Sequence, residues 1–198
     1  MDESERLNKQ ILFLREIDKQ KEIIRQTYLA DGSRKEDDAE HSWHLAMMAL
    51  LLGEYSNEEI DVLHTVSMVL IHDLIEIDAG DTFAYDEAGN LTKKDRETKA
   101  ADRLFGILPK DQGDKLRALW DEFEKKATPE AKFADSMDKI QPLMLNDASG
   151  GKSWQEHDVK ASQVYKRNEK TKDGSSRLWE YADDNFIKPN IEKGILKK

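Results

Sequence analysis

The run Met68-Val-Leu-Ile-His72-Asp73-Leu-Ile-Glu76-Ile77 constrains this chain more than any other stretch. Together with Val62, Leu63 and Val66 it reads as a helix over about 58–77 that is apolar on every side, and such a helix belongs at the centre of a domain. Three ionisable side chains nevertheless sit within it. Burying a charge without a partner costs several kcal/mol, so His72, Asp73 and Glu76 are expected to be paired, to bind a metal or to line a cavity. Adjacent helical residues point about 100° apart, so His72 and Asp73 can grip one ion lying between their directions. Glu76 follows one turn later on nearly the same face. Taken alone, the group is equally a hydrogen-bonded His–Asp pair that orders the core.

The rest of the chain is helical in period. Leu7, Ile11, Leu14 and Ile17, continued by Ile23 and Ile24, trace one long N-terminal stripe, and 31–38 reads as a charged loop. A second helix over about 40–55 carries Leu45, Met48 and Leu52 on one face. A polar loop over 78–94 separates the central helix from one with Ala100, Ala101, Leu104, Phe105 and Leu108 inward, which Pro109 ends. Leu116, Leu119, Trp120 and Phe123 mark another. Thr128-Pro129-Glu130 is a strong helix start, followed by the stripe Phe133, Met137, Ile140 and Met144, with a kink expected at Pro142. Two last helices fall near 154–168 and 176–186, and the tail 194–198 is expected to fray. No alternation runs long enough for a sheet. The fold class is all-α, one compact helical domain over 1–198, with its core at about 7–167 and the helices of 168–198 packed on it.

Composition removes several functions. With no cysteine there is no disulfide, thiol nucleophile, thiolate zinc site or iron–sulfur cluster. Lys and Arg total 31 against 41 Asp and Glu, a net charge of −10, which disfavours binding to a polymeric nucleic acid. The longest apolar run, 45–52, is far short of the roughly 20 residues of a membrane span. The acidic start shows no secretory signal, so a soluble cytoplasmic protein is expected. Dinucleotide, P-loop, zincin and serine-hydrolase motifs are all absent from the sequence.

Other helices offer partners for the central group. On a helical wheel His41 falls within the Leu45/Met48/Leu52 stripe, His44 lies near its edge, and Trp43 points away. A second inward histidine beside a His-Asp pair looks like a ligand set. Of the two acids after Pro129, Asp138 flanks the apolar stripe at about 120°, whereas Asp135 lies about 180° away and reads as a solvated helix residue.

A histidine, a His-Asp doublet and a distant aspartate, all on helices, resemble the HD-domain metal-dependent phosphohydrolases. Glu40-His41-Ser42, His72-Asp73-x-x-Glu76, Gly80-Asp81, Leu119-Trp-Asp-Glu-Phe-Glu, Pro129-Glu-Ala-Lys-Phe and Asp138-Lys-Ile are similar to the 5′-deoxynucleotidase branch over roughly 7–167. The resemblance implies His41, His72, Asp73 and Asp138 as metal ligands, with Asp135 as the fallback for the last. It implies Glu76 and Asp81 as catalytic acids, and an arginine before the first histidine that receives phosphate. Arg25 is the best match and Arg34 the alternative; Arg25 is equally a surface residue. One divalent ion is implied, Mn²⁺, Co²⁺, Fe²⁺ or Zn²⁺, with Mg²⁺ admitted. A homodimer acting on deoxynucleoside monophosphates is the expected whole. The rivals are hydrolysis of another phosphorylated metabolite, such as a nucleotide polyphosphate or a phosphodiester, and a catalytically silent metal-binding regulatory or scaffold protein. Basic clusters that would favour a polyphosphate are limited to Arg34-Lys35 and Lys93-Lys94. Trp154, Trp179 and Tyr181 are core or interface aromatics.

Overall fold

Over the residues that the computed structural model describes, 1–80 and 93–197, the chain is helical apart from one hairpin. Helix α1 (Glu3–Ile17) leads through a 3-10 turn at Asp18–Glu22 into strands β1 (Ile24–Tyr28) and β2 (Lys35–Asp37). Then come α2 (Asp38–Leu52), α3 (Val62–Ile71) and the single turn α4 (Glu76–Ala79). Beyond them lie α5 (Lys93–Phe105), α6 (Lys110–Lys125), α7 (Pro129–Ala148), α8 (Lys152–Glu156), α9 (Ala161–Arg167), α10 (Ser176–Ala182) and α11 (Lys188–Glu192).

Helix α7 is the axis. Thr128 Oγ1 accepts from the Ala131 amide at 3.2 Å and Pro129 stands in the first turn, where a missing N–H costs nothing. Phe133, Met137, Ile140 and Leu143 then pack on Leu45 and Met48 of α2 and on Met68 and Val69 of α3. Full burial of each such side chain stabilises by roughly 1.5–3 kcal/mol. Leu196, Ile187 and Ala182 close the same cluster from the C-terminal side. A second cluster joins Phe13 to Leu74, Ile75, Ala101, Leu104, Phe105 and Trp120.

Several local expectations are corrected. The N-terminal helix stops at Ile17, and Leu7, Ile11 and Leu14 lie exposed, with Phe13 as its buried residue. The segment 31–38, read as a loop, supplies β2 and the first residue of α2, and two strands do pair. They are antiparallel, with Ile24 opposite Asp37, Tyr28 opposite Lys35 and a bulge between. The turn joining them is closed by Leu29 N–H to Arg34 O (2.9 Å) and Gly32 N–H to Leu29 O (2.8 Å). Gly32 there has φ 67°, which a residue with a Cβ rarely adopts. Pro142, where a kink is expected, does not end α7, which continues to Ala148. The helix expected over 154–168 is two, separated by Asp158 at φ 50°. The tail is pinned, with Leu196 buried and the Ala161 amide donating to Lys197 O at 2.8 Å.

The central helix is shorter than its apolar run. It ends at Ile71, and 3-10-type bonds take over: Leu74 N–H to Ile71 O at 3.2 Å and Glu76 N–H to Asp73 O at 3.0 Å. Nor is it buried all round. Leu63 (72% exposed) and Leu70 of α3, with Trp43, Met47, Leu50 and Leu51 of α2, form an open apolar face opposite the core. Among the described residues no helix is long and apolar enough to cross a membrane.

Candidate metal centre

A capping box starts α2: Asp37 Oδ1 accepts from the Glu40 amide at 2.8 Å, and Glu40 Oε2 accepts from the Asp37 amide at 3.0 Å. This fixes the first turn and drives His41 wholly into the interior while Trp43 faces out. The end of α3 does the matching work for His72 and Asp73. Because the helix breaks there, the neighbours converge, with His72 Nε2 3.0 Å from Asp73 Oδ2. Asp138 arrives from α7, its Oδ1 3.1 Å from His41 Nε2 and 3.7 Å from His72 Nε2. The two imidazole centroids are 5.6 Å apart, and Phe123 presses edge-on against the His72 ring at 5.0 Å.

The ring nitrogens facing away from this centre are already committed. His72 Nδ1 donates to Val69 O at 2.8 Å, and His41 Nδ1 stands 3.1 Å from Gln141 Oε1. Buried Gln141 donates its Nε2 to Glu36 Oε2 at 2.8 Å, which turns its carbonyl oxygen to His41. With both Nδ1 atoms as donors, neutral His41 presents its Nε2 lone pair to carboxylates and His72 holds a proton or a lone pair there, an arrangement that a cation resolves. The buried His72 Nε2 makes no hydrogen bond. Ligand atoms of His41, His72 and Asp73 lie within 4.8 Å of one another. These residues fit a divalent ion on mixed nitrogen and oxygen donors.

The electrostatics agree. Burial, aided by Arg25, pushes His41 down to about 4, against the pull of Asp138 and Asp73, so it is neutral near pH 7. Burial opposes charge on His72 too, but there Asp73 and Asp138 outweigh it and its proton affinity rises well above the ordinary value. Asp138 and Asp73 are held below the usual carboxylate range because the imidazoles overcome the cost of burial.

Arg25 is delivered by β1 and is no surface residue. Its Nη1 donates to Asp73 Oδ2 (2.9 Å) and Asp38 Oδ1 (3.0 Å), and its Nε lies 3.4 Å from Glu36 Oε1. Burial works against its charge, but Asp73 and Asp38 more than compensate. Asp38, Asp73 and Glu76 form a second close group of acids, with ligand atoms within 4.8 Å of one another, around this guanidinium.

Arg34 is not brought in; it pairs with Glu40 at the surface. Asp135 is a correction: it is buried rather than solvated, held by Lys126 and by Lys139 at 2.5 Å. Asp81 lies outside the described residues. Sequence reasoning missed Glu36, Asp38 and Gln141. Only the position of Gln141, three residues after Asp138 on a helix already read as facing inward, carried a signal.

The sequence profile of the HD domain matches residues 17–179. The chain therefore belongs to the HD domain family of metal-dependent phosphohydrolases. It is similar, with a TM-score of 0.93 and 48% identity, to the crystal structure of a predicted metal-dependent phosphohydrolase from Magnetospirillum magnetotacticum MS-1, over 98% of this chain and 96% of that one. It is 29% identical over 133 residues to the 5′-deoxynucleotidase HDDC2 of Bos taurus, covering 67% of this chain and 63% of that one. For the Homo sapiens protein of the same name the figures are 27%, 67% and 64%. The chain thus spans a little under two thirds of the length of these relatives.

Proposed function

We propose that the chain is a 5′-deoxynucleotidase that hydrolyses deoxynucleoside 5′-monophosphates using one divalent ion held by His41, His72, Asp73 and Asp138. The observation that carries the metal is the pair of imidazoles whose Nδ1 atoms are tied and whose Nε2 atoms face Asp73 and Asp138. The substrate class is supported by the relatives named 5′-deoxynucleotidase.

When bound, a divalent ion supplies Lewis acidity and makes water a better nucleophile. The protein does the rest. Arg25 spends Nη1 on Asp73 and Asp38 and turns Nε toward Glu36 without a hydrogen bond, which leaves its Nη2 donors for a phosphate oxygen. Glu76, buried beside Asp73, takes the proton of the attacking water and returns it to the 5′ oxygen as the P–O bond breaks. Asp81 shares that task in the family resemblance.

A cleft of about 560 Å³ opens from His72, Asp73 and Asp138, a size suited to a nucleotide. Lys94, Arg117, Lys125, Lys126, Lys139 and Arg167 line it among the carboxylates of Glu97, Asp121, Glu124 and Asp135, with Lys126 and Lys139 already paired to Asp135. Lys94, Lys125 and Arg167, among the cations of this wall that are not paired to Asp135, support a second reading, a nucleotide polyphosphate. The protein acts as a homodimer in this proposal, and the open apolar face of α2 and α3 supports that.

The test is phosphate release from a panel of deoxynucleoside monophosphates, a ribonucleotide and a nucleotide polyphosphate. It uses metal-stripped protein with Mn²⁺, Co²⁺, Zn²⁺ or Mg²⁺ restored separately. Metal-dependent release favouring the deoxynucleotides is expected; preference for the polyphosphate installs the second reading.

A further inference from the structure

Glu36 takes no part in the reaction above, yet it is 1% exposed in the corner between β2, α2 and α7. Its two oxygens serve two arms of the centre. Oε2 accepts from Gln141 Nε2 at 2.8 Å, while Oε1 lies 3.4 Å from Arg25 Nε and 3.6 Å from His41 Nδ1. An ionised carboxylate only accepts hydrogen bonds. Burial pushes Glu36 up to about 7, against the pull of Arg25 and Gln141. In its ionised form it requires the NH₂ of Gln141 to face it, as the 2.8 Å bond to Oε2 does, the Gln141 Oε1 to face His41, and the proton of His41 to sit on Nδ1 (3.1 Å). The Nε2 lone pair of His41 is then left directed at Asp138 and Asp73.

We infer that Glu36 is a positioning residue: through the amide of Gln141 it selects the His41 tautomer that can bind metal, and with its other oxygen it holds Arg25 beside the same centre. This rests on the proposed reading of His41 as a ligand. Glu36 reaches both because it stands next to Asp37, the cap of α2, and across the hairpin from Arg25. No other described carboxylate has both a ligand histidine's outer nitrogen and the arginine within 4 Å.

The test exchanges the two partners. In E36Q the facing amides can pair in either sense, and only the longer contact of Gln141 Nε2 with His44 Nδ1 (3.4 Å) still bears on the orientation of Gln141. In Q141E two carboxylates abut. In E36Q/Q141E the acid at 141 accepts from both His41 and the new amide, and the tautomer is restored. Mn²⁺ and Co²⁺ affinities are measured by chelator competition on the full chain. Each single variant is expected to bind about 10- to 100-fold more weakly, the range for losing an outer partner of a ligand histidine. The double variant is expected to recover most of that loss. A single variant with wild-type affinity, or a double variant no better than either single, overturns the inference.

A measurement on the metal-free wild-type protein guards against variants that do not fold. The ¹⁵N shifts of the His41 ring should show the proton on Nδ1, and a proton on Nε2 overturns the inference without any substitution. Failure of the ligand reading is seen separately: H41A would then retain metal at wild-type affinity, whatever the Glu36 variants do.

Discussion

Asp135 and Asp138 sit one turn apart on α7, and their surroundings differ in one respect. Asp135 is clasped by the ammonium groups of Lys126 and Lys139. Asp138 meets two imidazoles, one of which is neutral near pH 7. The first carboxylate has its countercharge built in and needs nothing from solution. The second is short of positive charge, which in the proposed reading a metal ion supplies. Helical position alone does not distinguish an ion site from a structural ion pair; the groups arriving from other elements do.

The largest effect that tests this contrast is on metal binding. D138A should lower Mn²⁺ affinity by more than about 100-fold, beyond the usual effect of losing an outer-shell partner, while D135A should change it less than about threefold. Chelator competition on both variants decides, and equal losses would erase the distinction. Next comes turnover. E76Q should retain metal but slow phosphate release on the order of 100-fold, as loss of a positioned proton carrier does, and normal turnover would remove Glu76 from the mechanism.

The third effect falls on stability. D135A strands Lys139, whose side chain is 12% exposed, and should cost about 3 kcal/mol in denaturant unfolding. An unchanged midpoint would mean that the clasp is only superficial. The smallest effect is one of pH. The folded protein raises the His72 value above its ordinary 6.5, so that stabilisation is complete below about pH 6.5 and fades as pH rises through the folded value. It lowers the Asp138 value below 3.8, so that contribution is present above about pH 4 and fades as pH falls. Within that window His41, pushed down to about 4, gains stability as pH rises while Glu36, pushed up to about 7, loses it, so the two offset and metal-free protein should be most stable between these limits. In the proposed reading a bound cation replaces the His72 proton, so the Tm gap between loaded and stripped protein should widen as pH rises toward the folded His72 value. A constant gap in thermal scans would argue against exchange of proton for metal at His72.

Much of the helical framework was legible in the sequence. The stripes of α2, α6 and α7, the Thr128 cap, and His41 facing in with Trp43 facing out all came from a period of 3.6. The spacing that singled out His41, His72, Asp73 and Asp138 picked side chains that do converge. The parts that stayed hidden were set by tertiary contact. Strands of five and three residues are too short to show alternation, and Lys35-Glu36-Asp37 looks like solvated loop although Glu36 is buried. Neither glycine nor proline announces the break at His72. Asp135 reads as exposed until Lys126, from the end of another helix, covers it.

The Leu29–Arg34 turn is tight, and the chain beyond it has little slack. Surface loops usually tolerate changes of length. Here Glu36 lies between that turn and the cap of α2, so deleting one residue at 30–33 would either drag Asp37 off the helix or slip the hairpin by one place. A slip of one reverses the face of every strand residue and would send Glu36 to solvent. Along this lineage, single-residue deletions in an exposed turn should be purged as strictly as substitutions of the proposed ligands themselves.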